Sequence, residues 1–527
     1  MSRSHRPWLG LLLPALLLAG ACTGPSASAP PLVWAPCPTD AALQCAELTV
    51  PLDRADPDGA TVVLPVVKVP ARLPEARIGA LVLHRGGPGY SVLDYLSGIR
   101  SGQLVDPLRP AVYDRYDVIA MDQRGAGASR PAVRCFADPV ADGAALAASV
   151  AAVPATPAEA AARLDADARF AQACQAGSGE LLEHITTEDA ARDLDALREA
   201  LGEERLSFVG QSYGTFLGTV YANLFPEHVG RFVLDSVVDP AQAGGGHPLR
   251  SARLGSDVAT AETMAEFLRL CAEAGPRCAF GDGDPAAAVD RLMDRLRSDP
   301  VELTAPDGRT IRLGWSEVLS WTGNWLYQPS SWEQVGAGAS FLAGAEEALD
   351  DPRGPMGQAV AQLMLDLRDG AGLMSAPYIG PLDATALAVN CADNPAPRNR
   401  EDLLAAVDER TAEVGDFGAL RAWSDSPCAA WPVHGRGYRG PWDAADTAEP
   451  VLIMNSRYDP ATPLAGAERL HDRLPNSVLL VHERWGHVTV QQSGCMIAAA
   501  SAYLVDGTLP ARGTTCPPDH VPFSAPS

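Results

Sequence analysis

"LSFVGQSYGTFLG", Leu206 to Gly218, is the stretch on which the fold turns. An apolar run breaks into Gly210-Gln211-Ser212-Tyr213-Gly214 and resumes with small and apolar residues. Three readings compete: a serine nucleophile raised on a strand-to-helix turn, a phosphate-binding glycine loop, and an ordinary βα connection without chemistry. The phosphate loop requires a lysine beside its glycines, and the one lysine of the chain, Lys68, lies far away. The pattern G-x-S-x-G fits a nucleophile elbow, and its context is met: a strand over Leu206–Val209 before it and a helix-like "GTFLGTVYANLF" after it. The elbow forces its central residue into a strained conformation, so its neighbours must be nearly free of side chain for helix to pack on strand.

A serine hydroxyl needs a base to take its proton and an acid to orient that base. On a sheet that carries such an elbow the chain order is serine, then acid, then histidine. Asp459 follows the apolar strand Val451–Met454 in a loop closed by Pro460 and Pro463, and His487 lies just beyond the strand Val478–Val481, behind Gly486. His482, at the end of that strand run, reads as a packing or solvent-facing residue; His471 and Asp472 fall in a helix. A tetrahedral intermediate also needs two N–H donors. Tyr213, after the nucleophile, supplies one; "HRGGPG" (His84 to Gly89) is suited to the other, because glycines admit the backbone close to the substrate carbonyl.

Outward from these motifs, "TVVLPVVKV" (Thr61 to Val69) reads as a strand, with Pro65 pointing to a sheet edge or a bulge. "GALVLHRGGPG" and "YDVIAMDQRGAGAS" read as strands running into glycine loops. "TTEDAARDLDALREALG" (Thr186 to Gly202) reads as an amphipathic helix with Thr186 and Asp189 as capping pair and Gly202 as its stop. Strands that are near-continuous apolar runs alternating with helices predict a parallel sheet covered on both faces. The rhythm fades from about Gly246 to Ala445, where helical stretches such as "SDVATAETMAEFLRLCAEAG" dominate with few strand-like runs, and returns at Glu449. The expected fold is therefore α/β, a mostly parallel sheet interrupted by a helical insertion: residues 36–245 the first part of the core, 246–445 a helical cap, 446–527 the second part.

The net charge of -24 and the absence of Lys/Arg clusters argue against nucleic acid as a partner. At the N-terminus Arg3 and Arg6 precede an apolar stretch too short to span a bilayer, read as a signal peptide over residues 1–21. Ala19-Gly20-Ala21-Cys22 admits either ordinary cleavage or a lipobox with Cys22 lipidated, and residues 22–35 read as a tether. The eleven cysteines favour the lipobox: without Cys22, ten remain for five bridges, expected between neighbours as 37–45, 135–174, 271–278, 391–428 and 495–516. No zinc-ligand spacing is present, and neither a metal nor an organic cofactor is expected.

Gly86-Gly87-Pro88-Gly89, "DQRGAGAS" (Asp122 to Ser129), "GQSYG", "DPATP" (Asp459 to Pro463) and "WGH" together resemble the proline iminopeptidase-type serine peptidases, most of all their exported tripeptidyl aminopeptidase-like branch. The resemblance spans nearly the whole mature chain. It implies an α/β-hydrolase core with a helical cap, Ser212, Asp459 and His487 as triad, Gly87 and Tyr213 as oxyanion donors, Arg124 as a structural residue, and release of short peptides or single residues from free N-termini. The chain departs from the family pattern at Arg85, at Tyr90-Ser91 and at Val488, where glycine is frequent. An aminopeptidase must hold an α-ammonium, for which Asp235, Asp239, Glu317, Glu333 and Asp393 are candidate carboxylates. Trp315, Trp321, Trp325 and Trp332 are candidates to line an apolar pocket, with core packing their default role. A carboxylesterase or lipase would use the same triad without an ammonium site, and a non-catalytic binding lipoprotein is the reading from another class.

Overall fold

In the computed structural model of the protein the described residues are 30–524, other than 39, 138–152, 281–282, 329–330, 333–337, 369–383 and 445. The expected signal peptide, Cys22 and Glu333 lie outside the described residues. Ten strands form the main sheet: β1 Ala35–Pro36, β2 Gln44–Pro51, β3 Thr61–Val69, β4 Gly79–His84, β5 Tyr116–Met121, β6 Leu206–Gln211, β7 Val229–Asp235, β10 Val451–Tyr458, β11 Ser477–Trp485 and β12 Thr515–Cys516. The hairpin β8 Val301–Thr304 with β9 Thr310–Leu313 stands apart. The main-sheet order is β1-β2-β3-β5-β4-β6-β7-β10-β11-β12. Pairing is antiparallel from β1 through β5 and parallel from there to β12.

Burial follows this division. β4 and β6 are buried along their whole lengths, whereas β2 alternates buried and exposed residues, as a strand with one solvated face does. Alternate residues of the parallel strands feed the two faces. Phe208, Phe232 and Ile453 join one core with the helices Thr187–Leu201 and Tyr213–Leu224. Val209, Val233, Leu452 and Met454 join the other with the helix Gly494–Asp506. The helix Thr187–Leu201 is opened by the capping box Thr186/Asp189 and closed by Gly202 in the left-handed region (φ 73°).

β3 differs from its expectation. It is an interior strand, paired with β2 along its length and with β5 from Val66 to Val69. Pro65 is tolerated because the β5 pairing begins one residue later, and its carbonyl still accepts the N–H of Asp122 (3.3 Å).

Between β7 and β10 the chain is mostly helical, with Ser256–Ala274, Pro285–Ser298, Trp315–Trp325, Ala339–Asp350, Pro355–Arg368, Ala384–Asp393, Arg400–Val414 and Asp416–Ser424. Most of these helices build a third apolar core around Phe267, Trp325, Trp332 and Trp423. The helix Ala384–Asp393 instead packs its Leu387, Ala388 and Val389 with the sheet. All five expected disulfides are formed: Cys37–Cys45, Cys135–Cys174, Cys271–Cys278, Cys391–Cys428 and Cys495–Cys516.

Candidate active site

Five adjacent parallel strands, β4, β6, β7, β10 and β11, end on one rim of the sheet, the end at which open α/β sheets bind ligands. Each delivers a residue of interest at its end or just past it. Ser212 follows β6 with φ 54° and ψ -123°, the strained conformation expected of an elbow, and begins the helix Tyr213–Leu224. The flanking glycines are there for space. A Cβ on Gly210 would sit 2.5 Å from the Gly214 carbonyl oxygen, and one on Gly214 would sit 2.8 Å from the His84 carbonyl oxygen.

Asp459 and His487 are brought together. The His487 Nδ1 lies 2.9 Å from both carboxylate oxygens of Asp459, and both side chains are almost fully buried. Asp459 also accepts the N–H groups of Ala461 and Thr462 and the Thr462 hydroxyl, each at 2.9 Å. Burial pushes the Asp459 carboxyl up, but the charge and hydrogen bond of His487 and the two loop N–H groups outweigh it and hold the carboxyl below its ordinary value. The two loops start side by side, the Gly486 N–H donating to the Tyr458 carbonyl (2.8 Å).

Ser212 and the loop after His487 hang from one residue. The Asp235 carbonyl accepts the Ser212 N–H (2.9 Å), and its carboxylate accepts the N–H groups of Thr489 and Val490 and the Thr489 hydroxyl. Burial lifts this carboxyl to about 6 despite those donors. Next to it, the Ser236 hydroxyl accepts the Val488 N–H (2.8 Å). Val488 has φ 65°, a value costly for a β-branched side chain, which gives the physical reason that glycine suits this position in the resembling family.

The loop after β4 lies against the elbow. A Cβ on Gly86 would sit 2.5 Å from the Gln211 carbonyl oxygen and 3.1 Å from the Tyr213 nitrogen, so Gly86 runs beside the residue after Ser212. Arg85 stands over the rings of Tyr90 (4.9 Å) and Tyr95 (5.2 Å), so two of the departures from the family pattern, positions 85 and 90, pack on one another. Beneath, Asp122 accepts the N–H groups of Val92, Leu93 and Ala128 and the Ser91 hydroxyl. Arg124 is fully buried, forks onto both oxygens of Asp193 (2.7 Å each), and donates to the carbonyls of Leu52 and His184.

The four described candidates for the ammonium all serve protein partners. Asp235 holds the loop after His487. Asp239 pairs with Arg469 (2.6 Å) and caps the turn at Ala241. Glu317 lies 3.5 Å from Arg312. Asp393 accepts the N–H (2.8 Å) and hydroxyl (2.5 Å) of Thr187, and burial pushes its carboxyl up to about 7. Trp325 and Trp332 pack against Phe267 in the third core, Trp315 donates its indole N–H to Asp416 (2.7 Å), and Trp321 packs on Phe341 with the rings tilted by 41°.

Three contributors were not singled out from sequence. Thr462 is the readable one, because an aspartate that accepts N–H groups two and three residues on is an Asx-type turn with a hydroxyl at hand. Tyr327 and Arg421 carry no such signal. The Tyr327 carbonyl accepts the His487 N–H (2.9 Å), and its ring meets the imidazole edge-on at 5.4 Å. Arg421 donates to the Tyr327 hydroxyl and to the Pro460 carbonyl, at 3.1 Å each, so it touches the partners of both loops.

Comparison with known proteins identifies the family. The α/β hydrolase fold family matches residues 79–264, and the TAP-like protein family matches residues 412–516. A tripeptidyl aminopeptidase of Streptomyces coelicolor is 32% identical over 93% of this chain and 86% of its own length. The serine protease Hip1 of Mycobacterium tuberculosis is 30% identical over 92% of this chain and 91% of its own. A protein of M. tuberculosis named carboxylesterase B is 32% identical over 97% of this chain and 96% of its own. The chain belongs to the TAP-like serine hydrolases of the α/β-hydrolase fold.

Proposed function

We propose that this protein is an exported serine aminopeptidase that releases short peptides or single residues from free N-termini through Ser212, His487 and Asp459. His487 takes the Ser212 hydroxyl proton as Oγ attacks the scissile carbonyl, the C=O pair moves onto oxygen, and the resulting oxyanion is met by the N–H groups of Gly87 and Tyr213. Collapse breaks the C–N bond as His487 gives its proton to the leaving amine, leaving an acyl-enzyme. Water, deprotonated by the same imidazole, then adds to the ester carbonyl, and Ser212 departs with the proton.

The observation that carries the reading is the shared footing on Asp235. Its carbonyl fastens the strained Ser212, and its carboxylate fastens the loop of a histidine whose Nδ1 is held at 2.9 Å by a buried aspartate. The names of the Streptomyces and Hip1 relatives favour a peptide over an ester. The carboxylesterase B relative favours the second reading, a carboxylesterase with the same triad.

The deciding experiment offers one series of peptide arylamides, free and N-acetylated, beside a simple aryl ester, with Ser212→Ala as control. Cleavage of free-amine peptides alone supports the aminopeptidase. Turnover of the ester alone establishes the second reading, and a Ser212→Ala variant as active as wild type refutes both. Export accords with the five disulfides, and lipidation at Cys22 is tested by detergent partitioning of wild type against Cys22→Ala.

A further inference from the structure

A line of buried polar side chains runs beneath the elbow, and the proton relay above makes no use of it. It starts at the oxyanion loop, where the Gly86 N–H donates to His84 Nδ1 (3.1 Å). An imidazole that accepts at Nδ1 carries its proton on Nε2, and burial with the Arg85 charge keeps His84 neutral by lowering it to about 4. Gln123 lies beside that ring, and its amide Nε2 donates to the Tyr213 hydroxyl (3.1 Å). The Tyr213 hydroxyl lies 2.6 Å from the Thr187 Oγ1, which donates to Asp393 Oδ2 (2.5 Å).

The acid at the end sets the direction. Ionised Asp393 can only accept, so the Thr187 hydroxyl gives its proton there and must accept from Tyr213. The phenol, having given its proton to Thr187, must accept from the Gln123 amide. Gln123 Oε1 and His84 Nε2 then face one small cavity without a hydrogen-bond partner among the described residues, and the link from the phenol to His84 is made by packing, the Tyr213 and His84 rings lying 5.9 Å apart. Both ends also touch mechanically, since the helix Ala384–Asp393 abuts the same loop: a Cβ on Gly89 would sit 2.7 Å from the Ala386 nitrogen.

We propose that Asp393, Thr187 and the phenol of Tyr213 are positioning residues for the hydrolytic reaction: a one-directional hydrogen-bond chain holds the Tyr213 ring, and its packing on His84, which accepts the Gly86 N–H, fixes the Gly86 backbone relative to the Tyr213 N–H. The proposal rests on Ser212 being the nucleophile. Binding of the ground-state substrate should not feel this chain, whereas the tetrahedral oxyanion should.

The test uses Tyr213→Phe, which keeps the backbone N–H and the ring, together with Thr187→Val, Thr187→Ser and Asp393→Asn, assayed on wild type's best substrate at a pH where Asp393 is ionised. In Tyr213→Phe and Thr187→Val, kcat is expected to fall roughly tenfold or more with KM little changed. Affinity for a peptidyl boronate, whose adduct with Ser212 is tetrahedral, falls by the same factor, and Thr187→Ser restores both. Thermal melts of each variant separate this from loss of fold, and the two mild variants decide the matter if Asp393→Asn does not fold. Unchanged kcat and boronate affinity in Tyr213→Phe and Thr187→Val, beside an inactive Ser212→Ala, overturn the proposal while leaving the nucleophile intact. An active Ser212→Ala overturns the nucleophile itself.

Discussion

Gly86→Ala isolates the contact between the loop after β4, the proposed source of an oxyanion donor, and the elbow. Gly86 has φ +98°, and an added Cβ would meet the Gln211 carbonyl oxygen at 2.5 Å and the Ser212 Cβ at 2.9 Å. Ordinary contact begins at 3.4 Å, so loop and elbow must separate by about 0.9 Å. Gly102 provides the matched control: its φ is +74°, but nothing lies within 4 Å of its added Cβ. Gly102→Ala should therefore cost only the strain of a left-handed residue, about 1–2 kcal/mol, with activity unchanged. Gly86→Ala adds about 1–3 kcal/mol of overpacking. Because a misplacement of ~1 Å costs on the order of a hundredfold in rate, kcat/KM should fall about that much. Urea unfolding gives the stabilities, and peptide arylamide hydrolysis, corrected for folded fraction, gives the rates. A Gly86→Ala variant that stays folded and keeps kcat/KM within a few-fold of wild type would refute the claim that this loop meets the reacting carbonyl.

Three further outcomes follow from the same geometry. Thr462→Val removes one hydroxyl bond to the Asp459 carboxylate (2.9 Å); a bond to a charged group is worth about 1.5–3 kcal/mol, so kcat should drop roughly tenfold or more, and Thr462→Ser should recover it. Arg124→Met leaves Asp193 buried with the partly exposed Arg54 as its cationic partner; urea denaturation should show a loss near ~3 kcal/mol, largely recovered when Asp193→Leu is added. Asp235 binds its proton up to about pH 6 when folded, above the ordinary 3.8. Over that window the folded state holds a proton that the unfolded state has lost, so stability falls as pH rises. Melts across the window should show wild type losing ground to Asp235→Asn between about pH 4 and 6 and then running parallel to it; a constant difference would contradict the raised carboxyl.

The parts of this architecture that were legible from sequence are those written locally. The elbow announces itself because a strained turn tolerates only small flanking residues, and the pairing of Asp459 with His487 because each follows the end of a strand. The capping pair Thr186/Asp189 and the Gly202 stop were readable for the same reason, as was the disulfide ladder, whose partners are neighbours in the chain. Pro65 misled because the rule for proline concerns the hydrogen-bonding side of one residue, and β5 begins pairing only beyond it. The contacts of Tyr327, Arg421 and Asp393 escaped because they join segments scores of residues apart, and no spacing in the sequence records which loops meet over a rim. Asp235 was singled out, but in the wrong role. A buried acid at a strand end reads as a ligand for a cation until the loop whose N–H groups occupy it is known.

The pairing of the cysteines bears on how the chain comes to be. Every bridge joins consecutive cysteines, at separations of 8, 39, 7, 37 and 21 residues, and no bridge encloses or crosses another. In a chain that emerges into an oxidising space from its N-terminus, each of these thiols therefore meets its proper partner before the next pair has appeared. Correct cross-linking needs no shuffling among them, and it can run ahead of folding without trapping a wrong topology. That matters here because the sheet cannot close early: β10 and β11, which lead to Asp459 and His487, arrive more than two hundred residues after β7, the strand beside which β10 must pair. The staples secure each segment locally while the first half of the sheet waits for the second.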